Sequence, residues 1–520
     1  MCVEHVCEVT VLNKEDEDVL LVALHQLVAA QDGAISGPTT SALAAGYSCD
    51  PSKCELPSCN CASTSPPGGL SPSEVPQFVV FTADDAIQSY TLDSVNQFLA
   101  QRKNPNGCPI KMTYFTSLNY TNYTLVTDWM THVGSPPADE INGNLIALNA
   151  LAGIPFDAIK GFRAPYLNYT ADTFHLLAAA DFTYDSSTAA SIPVTDPDTD
   201  AYWPYTLDYG LANDCLTVDD ICQGQPQLPG FWEIPMYAFF DELGINGPHL
   251  MDPWLDTANG ASTVNDTATL EYMKNTFTAH YSGNRQPIGL YTHPIHLSTT
   301  YPGVDPSNST IQMINQYLDW LQEQQDVWIV SNEQLLAWVQ NPVPVSQLDT
   351  IEALKCPTPD VDPTLQICNG IPINEAGLLQ ECAFSDFPFF TCYGCPEVEV
   401  SPSNPNPPQQ VPQGQQARFR LPANCSTPFW DPIAGNCLCV SDDCAFTDNS
   451  RPIGPNGANL TGGGTGDSAA AASPTTGPTY VNFNGAGAAR FFSSDPFGIV
   501  SVFVGGVVTA AAAALTLVDL

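Results

Sequence analysis

Short apolar runs alternate with helix-like segments over residues 76–345, and this alternation limits the fold class more than any other property of the chain. The runs at 78–81, 288–291 and 327–330 have the length and apolar content of buried strands. Helical periodicity is found in four segments, at 92–102, 145–152, 171–180 and 311–324. Strands that alternate with helices over a region of this length predict an α/β domain, either a barrel or a doubly wound sheet.

The charge balance excludes one large class of partner. Lys and Arg number 14 against 55 Asp and Glu, which gives a formal net charge of −41. A nucleic-acid-binding protein needs a basic surface that displaces counterions from phosphates. We therefore exclude nucleic acid as a main partner and expect no attraction to anionic membrane surfaces.

Eighteen cysteines indicate an oxidising compartment, where they serve as cross-links. Seven Asn-x-Ser/Thr sequons are possible glycan acceptors on a secreted surface. They lie at Asn119, Asn122, Asn168, Asn265, Asn308, Asn424 and Asn459. Together these features predict an extracellular glycoprotein.

Residues 1–30 resemble a signal peptide with an unusual flank. The apolar run at 19–30, VLLVALHQLVAA, closes on a small-residue cleavage pattern before Gln31. The preceding KEDED segment is mostly acidic, where a basic segment is expected. A different start, a misread gene model or a short buried helix are the alternatives. Cleavage would remove Cys2 and Cys7 and leave sixteen cysteines, an even number that can all pair.

The chain ends in an apolar tail. Residues 497–518, FGIVSVFVGGVVTAAAAALTLV, are long enough to span a bilayer, and a polar spacer and small residues precede them within 484–496. Over 487–520 this arrangement predicts a glycosylphosphatidylinositol (GPI) attachment signal. A plain transmembrane anchor is the alternative, which the lack of basic residues after the tail disfavours. Residues 450–486 have the composition of a flexible stalk.

Two cysteine-rich segments flank the α/β region. Residues 31–75 contain Cys49, Cys54, Cys59 and Cys61 among Pro, Ser and Gly, which predicts a disulfide-stapled leader. Zinc is the competing interpretation, but the spacing does not match paired CxxC motifs. Nine cysteines with many prolines at 346–449 predict a second stapled region.

Three short segments carry candidate chemistry. FTADDA places Asp84 and Asp85 at the end of a predicted strand, where two carboxylates can divide metal binding and base catalysis. A helix cap is the alternative function for such a pair. FRAPYL puts Arg163 beside a proline-fixed turn, and GLYTH ends another strand at His293, whose alternative is a hydrogen-bonded core histidine. His296 could support the site or cap a turn.

In this order the segments resemble those of the polysaccharide deacetylases, the fourth carbohydrate esterase family, in its chitin deacetylase-like branch with Cys-rich flanks. The resemblance covers about residues 49–345 and includes VVFTADDA, NPNGCPIKMTYF, GFRAPYL, YWPYTLDYG with Cys215 and Cys222 nearby, FWEIPM and IGLYTHPIHL. It implies a distorted (β/α) barrel and metal-dependent hydrolysis of the N-acetyl groups of chitin or related polymers.

The resemblance also implies residue roles for the attack of water. Asp84 would be the general base, and Asp85 would bind a divalent ion, expected to be zinc, that lowers the pKa of its bound water. Arg163 would pair with Asp84 and keep it ionised.

Three other roles follow from the same resemblance. The backbone N–H of Tyr166, together with the ion, would hold the tetrahedral oxyanion. His293 would protonate the departing glucosamine nitrogen, because an unprotonated amine is a poor leaving group. Trp232, from FWEIPM, would form a wall of the sugar groove.

The chain departs from the family in its His-x-x-x-His segment. Residues 130–134 fit the end of that motif and supply His132, but Asp128 stands where the first histidine should be. If Asp128 and His132 reach one face, these two residues and Asp85 could still bind the ion. If the turn and strand leading into the motif are missing, two ligands at most remain, and we expect this second case.

Two function hypotheses follow. The first is a monomeric, surface-anchored chitin deacetylase acting in a chitin-containing cell wall. The second is a catalytically silent relative that binds or organises wall polysaccharide. A purely structural wall glycoprotein would leave the Asp pair, the RAPY segment and the His motif as coincidence.

Overall fold

The computed structural model describes residues 47–437 and two short strands beyond them. Gaps in this range lie at 101, 118–120, 122–131, 134–137, 214–223, 242–247, 256–264, 302–305, 307, 357–365, 369–376, 385–387, 423–424, 426 and 428. The predicted signal segment and apolar tail, most of the predicted stalk, and Asp128, Cys215 and Cys222 lie outside the described residues. Within the described part, no helix combines the length and apolarity needed to cross a bilayer.

The central sheet is parallel and has five strands. They are β1 (Gln77–Asp85), β2 (Thr113–Thr116), β3 (His132–Val133), β12 (Ile288–Thr292) and β13 (Val327–Val330). The order is β12-β1-β2-β3, and β13 pairs with the first half of β1. Strand β1 is apolar over most of its length because helices and other strands cover both of its faces. The three predicted strand runs are confirmed.

A second group of short strands continues the α/β pattern. It comprises β4 (Gly161–Phe162), β5 (Tyr184–Asp185), β6 (Ala189–Ala190), β7 (Tyr205–Thr206), β8 (Trp232–Glu233), β9 (Met236–Tyr237), β10 (Phe239–Phe240) and β11 (Pro248–His249). Strands β4, β5 and β8 are parallel neighbours, and so are β6 and β9, whereas β7 and the β10–β11 pair are antiparallel. The predicted α/β class is confirmed. Among the described residues, the hydrogen-bonded strands form separate open sheets and no closed barrel.

Six α-helices of the described part of the chain cover these sheets. They are α1 (Ser89–Leu99), α2 (Ala138–Ala152), α3 (Ala171–Ala179), α4 (Asp266–Ser282), α5 (Asn308–Gln322) and α6 (Asn332–Gln340). Four of them match the helices predicted from periodicity. Helix α1 shows the reason, since Leu92, Val95, Phe98 and Leu99 recur every three or four residues and are all buried in the main core.

Six disulfides staple the described residues. They join Cys49 to Cys61, Cys54 to Cys59, Cys108 to Cys356, Cys368 to Cys392, Cys382 to Cys395, and Cys425 to Cys437. The four leader cysteines pair with each other, so their sulfurs are not free for zinc. The disulfide-rich flanks on both sides of the α/β region are confirmed.

The carboxy-terminal flank packs against helix α2. Its hairpins are β14 (Gln380–Cys382) with β15 (Phe389–Thr391), β16 (Trp430–Asp431) with β17 (Asn436–Cys437), and β18 (Pro452–Ile453) with β19 (Ala458–Asn459). Thr391 Oγ1 donates a hydrogen bond to the carbonyl of Leu151 at 2.6 Å. Gly153 has a φ of 66°, and a Cβ there would overlap the ring of Tyr393. A side chain at that position would therefore separate the two surfaces.

Candidate active site

Arg163 fixes Asp84 at the end of strand β1. The guanidinium Nη1 lies 2.8 Å from Asp84 Oδ1 and also donates to Thr82 Oγ1 at 2.6 Å. The Arg163 side chain is 1% exposed and its guanidinium carbon lies 4.2 Å from the ring centre of Phe115. An arginine held on this many sides has little freedom to leave the carboxylate.

Burial and the ion pair with Arg163 have opposite effects on the pKa of Asp84. Burial raises the pKa of the Asp84 carboxyl above its usual range, and the positive charge of Arg163 only partly opposes that effect. The charge of Arg163 favours the ionised carboxylate, as expected, and burial opposes that effect. A raised pKa makes Asp84 a stronger proton acceptor once it is ionised.

His293 forms a second acid–base pair, with Asp252. Nδ1 of His293 lies 2.5 Å from Asp252 Oδ2, and Asp252 Oδ1 accepts hydrogen bonds from the His293 N–H and from Thr292 Oγ1. Burial alone would lower the pKa of His293. The charge of Asp252 and the hydrogen bond to it, with further help from Asp85 and Asp84, raise that pKa to about 10. The imidazole is therefore protonated at neutral pH.

Asp252 was missed by the sequence analysis. It lies 41 residues before His293, and no spacing rule connects the two. An isolated parallel bridge between Met251 and Tyr291 brings the two segments side by side. The Asp-Pro-Trp sequence starting at Asp252 suggests a turn, but a turn alone does not identify the partner of a histidine.

The predicted metal ligands are described only in part. Asp85 ends strand β1, is exposed, and has a φ of 79°. His132 begins strand β3 and aligns with Phe115, which in turn aligns with Asp84. The sheet therefore continues past β2 at His132, and residues 122–131, where the lead-in to the motif and its first histidine are expected, lie outside the described residues. Asp85 and His132 lie at the same edge of the sheet, and carboxylate and imidazole are both ligands that zinc accepts.

A second group of potential ligands surrounds His293. Ligand atoms of Asp252, His293 and His296 lie within 4.8 Å of one another. Both oxygens of Asp252 already accept hydrogen bonds, and one of these comes from the His293 ring. We therefore interpret this group as a hydrogen-bonded acid–base pair with His296 beside it.

Comparison with known proteins decides the family. No protein-family model matches the chain. The chain is 30% identical over 322 residues to chitin deacetylase 8 of Bombyx mori, a match that covers 58% of this chain and 80% of that protein. The chain belongs to the polysaccharide deacetylase family. A second member, chitin deacetylase 1 of Bombyx mori, is 28% identical over 337 residues, covering 58% of this chain and 59% of that protein.

A solved structure gives a much weaker similarity. It is a Mycobacterium smegmatis protein assigned as a polysaccharide deacetylase, with 15% sequence identity and a TM-score of 0.32. The similarity covers 59% of this chain and 100% of that protein. A TM-score this low supports no inference about the site, so family membership depends on the sequence relatives.

The polysaccharide deacetylase resemblance also implied roles for Tyr166 and Trp232. Tyr166 lies in a single 3-10 turn, Pro165–Leu167, directly after Arg163. Trp232, in strand β8, is 2% exposed and packs in a buried cluster that includes Trp203 and Trp338. The structure therefore gives no support to Trp232 as a wall of an open sugar groove.

Proposed function

We propose that this polysaccharide deacetylase hydrolyses the N-acetyl groups of chitin or a related N-acetylglucosamine polymer, with a divalent ion, zinc, as cofactor. The observation that carries this proposal is the presence of two pairs, Asp84–Arg163 and Asp252–His293, at the ends of neighbouring parallel strands. Amide hydrolysis needs a base for the attacking water and an acid for the leaving amine, and these pairs supply one of each.

Asp84 is the proposed base. Arg163 binds Oδ1, which orients the carboxylate and leaves Oδ2 to take the proton of the attacking water. The raised pKa of Asp84 favours that transfer, and it follows from the burial of the carboxyl group. The backbone N–H of Tyr166, in the turn after Arg163, is the proposed donor to the oxyanion that develops on the acetamide oxygen.

His293 is the proposed acid. Its pKa of about 10 keeps the imidazole protonated at neutral pH, and Asp252 holds the ring through Nδ1. The side chain is 21% exposed, so a substrate can approach it. The proton passes to the glucosamine nitrogen as the carbon–nitrogen bond breaks, and acetate and a free amine are the products.

Asp85, His132 and Asp128 are the proposed metal ligands. These residues would hold a divalent ion, which would supply polarisation of the acetamide carbonyl and a lowered pKa for water. Asp128, in the position of the first histidine, favours a second candidate function, a family member that binds wall polysaccharide without hydrolysing it. If the metal binds weakly, the protein would still bind the polysaccharide but would not hydrolyse it.

Acetate release from chitin oligomers, measured with and without added zinc or cobalt, tests the proposal. We expect metal-dependent release by the full chain, loss of release in Asp84→Asn, and normal release in Asp198→Asn, which changes an exposed aspartate. Binding of the oligomers without release at any metal concentration would reject hydrolysis and support the second candidate.

The disulfides indicate an oxidising, extracellular location. We propose a monomeric glycoprotein that a C-terminal lipid anchor holds at the plasma membrane, within the cell wall. Release of the protein from intact cells by a phosphatidylinositol-specific phospholipase C would support the lipid anchor, and retention would favour a transmembrane tail.

A further inference from the structure

Two carboxyl groups lie side by side in the core behind Arg163. Asp185 in strand β5 and Glu233 in strand β8 are register partners in a parallel pair, and both residues are 0% exposed. Two adjacent negative charges without water would repel each other strongly. One of the two groups is therefore expected to carry a proton.

The hydrogen bonds indicate which group carries it. Asp185 accepts from the Ser187 N–H at 2.7 Å and from Ser187 Oγ at 2.8 Å, so both of its oxygens are used as acceptors. Glu233 Oε1 accepts from the N–H and the hydroxyl of Thr188. Glu233 Oε2 is buried without a donor among the described residues. A proton on Oε2, donated to Asp185, satisfies that atom.

The carboxyl pair holds the segment at 185–188, and the same segment binds Arg163. Ser186 accepts from Arg163 twice, through its carbonyl at 2.9 Å and through Oγ at 3.2 Å. Ser187 Oγ, which donates to Asp185, also accepts from the N–H of Ala164 at 2.8 Å. Hydrogen bonds at Ser187 and Ser186, joined by the peptide backbone between them, thus link the carboxyl pair to the arginine that binds Asp84.

We propose that Asp185 and Glu233 share a single proton, carried by Glu233, and that this acid–carboxylate pair is a positioning device for Arg163. The catalytic part of the inference depends on the proposed function, whereas the shared proton does not. Neither residue touches Asp84, so both act through the segment at 185–188 and through Arg163.

The surrounding charges agree with this assignment. Among the described residues, Arg163, Tyr205 and Tyr237 are titratable groups that interact with the pair. Burial raises the pKa of Asp185 to about 7, against hydrogen bonds and the Arg163 charge that lower it. Burial, and then the charge of Asp185, raise the pKa of Glu233 well above its usual range.

Infrared spectroscopy of the folded full-length protein at pH 6 tests the shared proton. We expect a buried protonated carboxyl band that Glu233→Gln removes and that Asp185→Asn retains. Glu323→Gln, at an exposed glutamate, should leave the spectrum unchanged and is the matched control. If Glu233→Gln removes no such band, the shared proton is rejected.

Hydrogen exchange at the Arg163 Nε–H, followed by NMR and assigned with Arg163→Lys, tests positioning without any assay of activity. The amide that Glu233→Gln introduces can donate to Asp185 as the acid does, so this variant should keep the slow exchange of the wild type. Asp185→Asn replaces an acceptor oxygen with a donor opposite Ser187, so exchange should become at least tenfold faster. Equal exchange in wild type and Asp185→Asn would reject the positioning role.

Ser187→Ala is a second variant that tests the same role if Asp185→Asn does not fold. It removes the hydroxyl between Asp185 and the Ala164 N–H, and we expect faster exchange at Arg163 there too. In an active enzyme both variants should lower kcat at least tenfold with little change in KM, and Glu233→Gln should stay within about threefold of the wild type. If the wild type releases no acetate, the proposed function fails, but the infrared and exchange results still decide this inference.

Discussion

Two buried histidine–aspartate pairs in this molecule have opposite electrostatics. His293 lies 2.5 Å from Asp252, and its pKa is raised to about 10. His249 lies 3.3 Å from Asp241 and stacks on Tyr272 with a ring-centre distance of 4.8 Å, and burial lowers its pKa. The same two residue types therefore hold a proton at one place and exclude it at the other.

The difference comes from the number and the closeness of the carboxylates. Asp252 is 5% exposed and forms a short bond, and Asp84 and Asp85 add their charges at His293. At His249, the carboxylate found among the described residues is Asp241, at the longer distance of 3.3 Å, and the His249 side chain is 2% exposed. A histidine beside an acid is thus a proton donor only where further negative charge outweighs the loss of water.

Replacing each histidine should show the difference between the two pairs most clearly. In His293→Gln we expect the rate of acetate release to fall about 10²- to 10⁴-fold, because the leaving amine loses its proton donor. In His249→Leu the rate should stay within about threefold, since that ring supports only the local packing. Steady-state kinetics on chitin oligomers measure both, and an equal loss in the two variants would contradict the assignment of His293 as the acid.

Removing the aspartate of each pair should have a smaller effect that depends on pH. In Asp252→Asn the pKa of His293 should fall from about 10 to its ordinary 6.5 or below, because burial remains and the main negative charge is gone. At pH 8 the protonated fraction then falls at least roughly 30-fold. The alkaline limb of the rate profile should move to lower pH, whereas Asp241→Asn should leave it in place. An unchanged limb in Asp252→Asn would contradict the role of this pair.

Part of this site could be predicted from the sequence. The apolar run before Asp84 marks a buried strand, and Asp84, Arg163 and His293 are indeed brought together around its end. Asp252 could not be found, because its contact with His293 depends on a single bridge between distant segments. Strands as short as β4, β5 and β8 show no periodicity, so neither their order nor the partnership of Asp185 with Glu233 could be predicted.

Two properties of the site depend on burial, which the sequence does not give. The pKa of Asp84 depends on the balance between burial and the charge of Arg163, and a sequence gives the charge but not the burial. Trp232 was assigned to a groove because it lies in a motif, yet its large apolar ring packs in the core.

The structural role of His249 should appear as a loss of stability. His249→Leu removes a buried hydrogen bond to Asp241 and a stacked ring, and we expect a decrease of about 1–3 kcal/mol in the free energy of unfolding. His293→Gln should change stability less than activity, because its ring is partly exposed. Denaturant unfolding at pH 7 gives both values. A His249→Leu protein as stable as the wild type would show that this pair contributes nothing to folding.

The pH dependence of stability should have opposite signs at the two pairs. The pKa of His249 is lowered by folding, so below about pH 6.5 the unfolded chain binds more protons, and the stability advantage of the wild type over His249→Leu shrinks as pH falls. The pKa of His293 is raised, so the advantage over His293→Gln is complete below about 6.5 and shrinks as pH rises towards 10. Unfolding curves of the three proteins between pH 5 and pH 10 measure these differences. Two differences of the same sign would mean that one of the pairs has its proton assigned wrongly, and with it the choice of His293 as the acid.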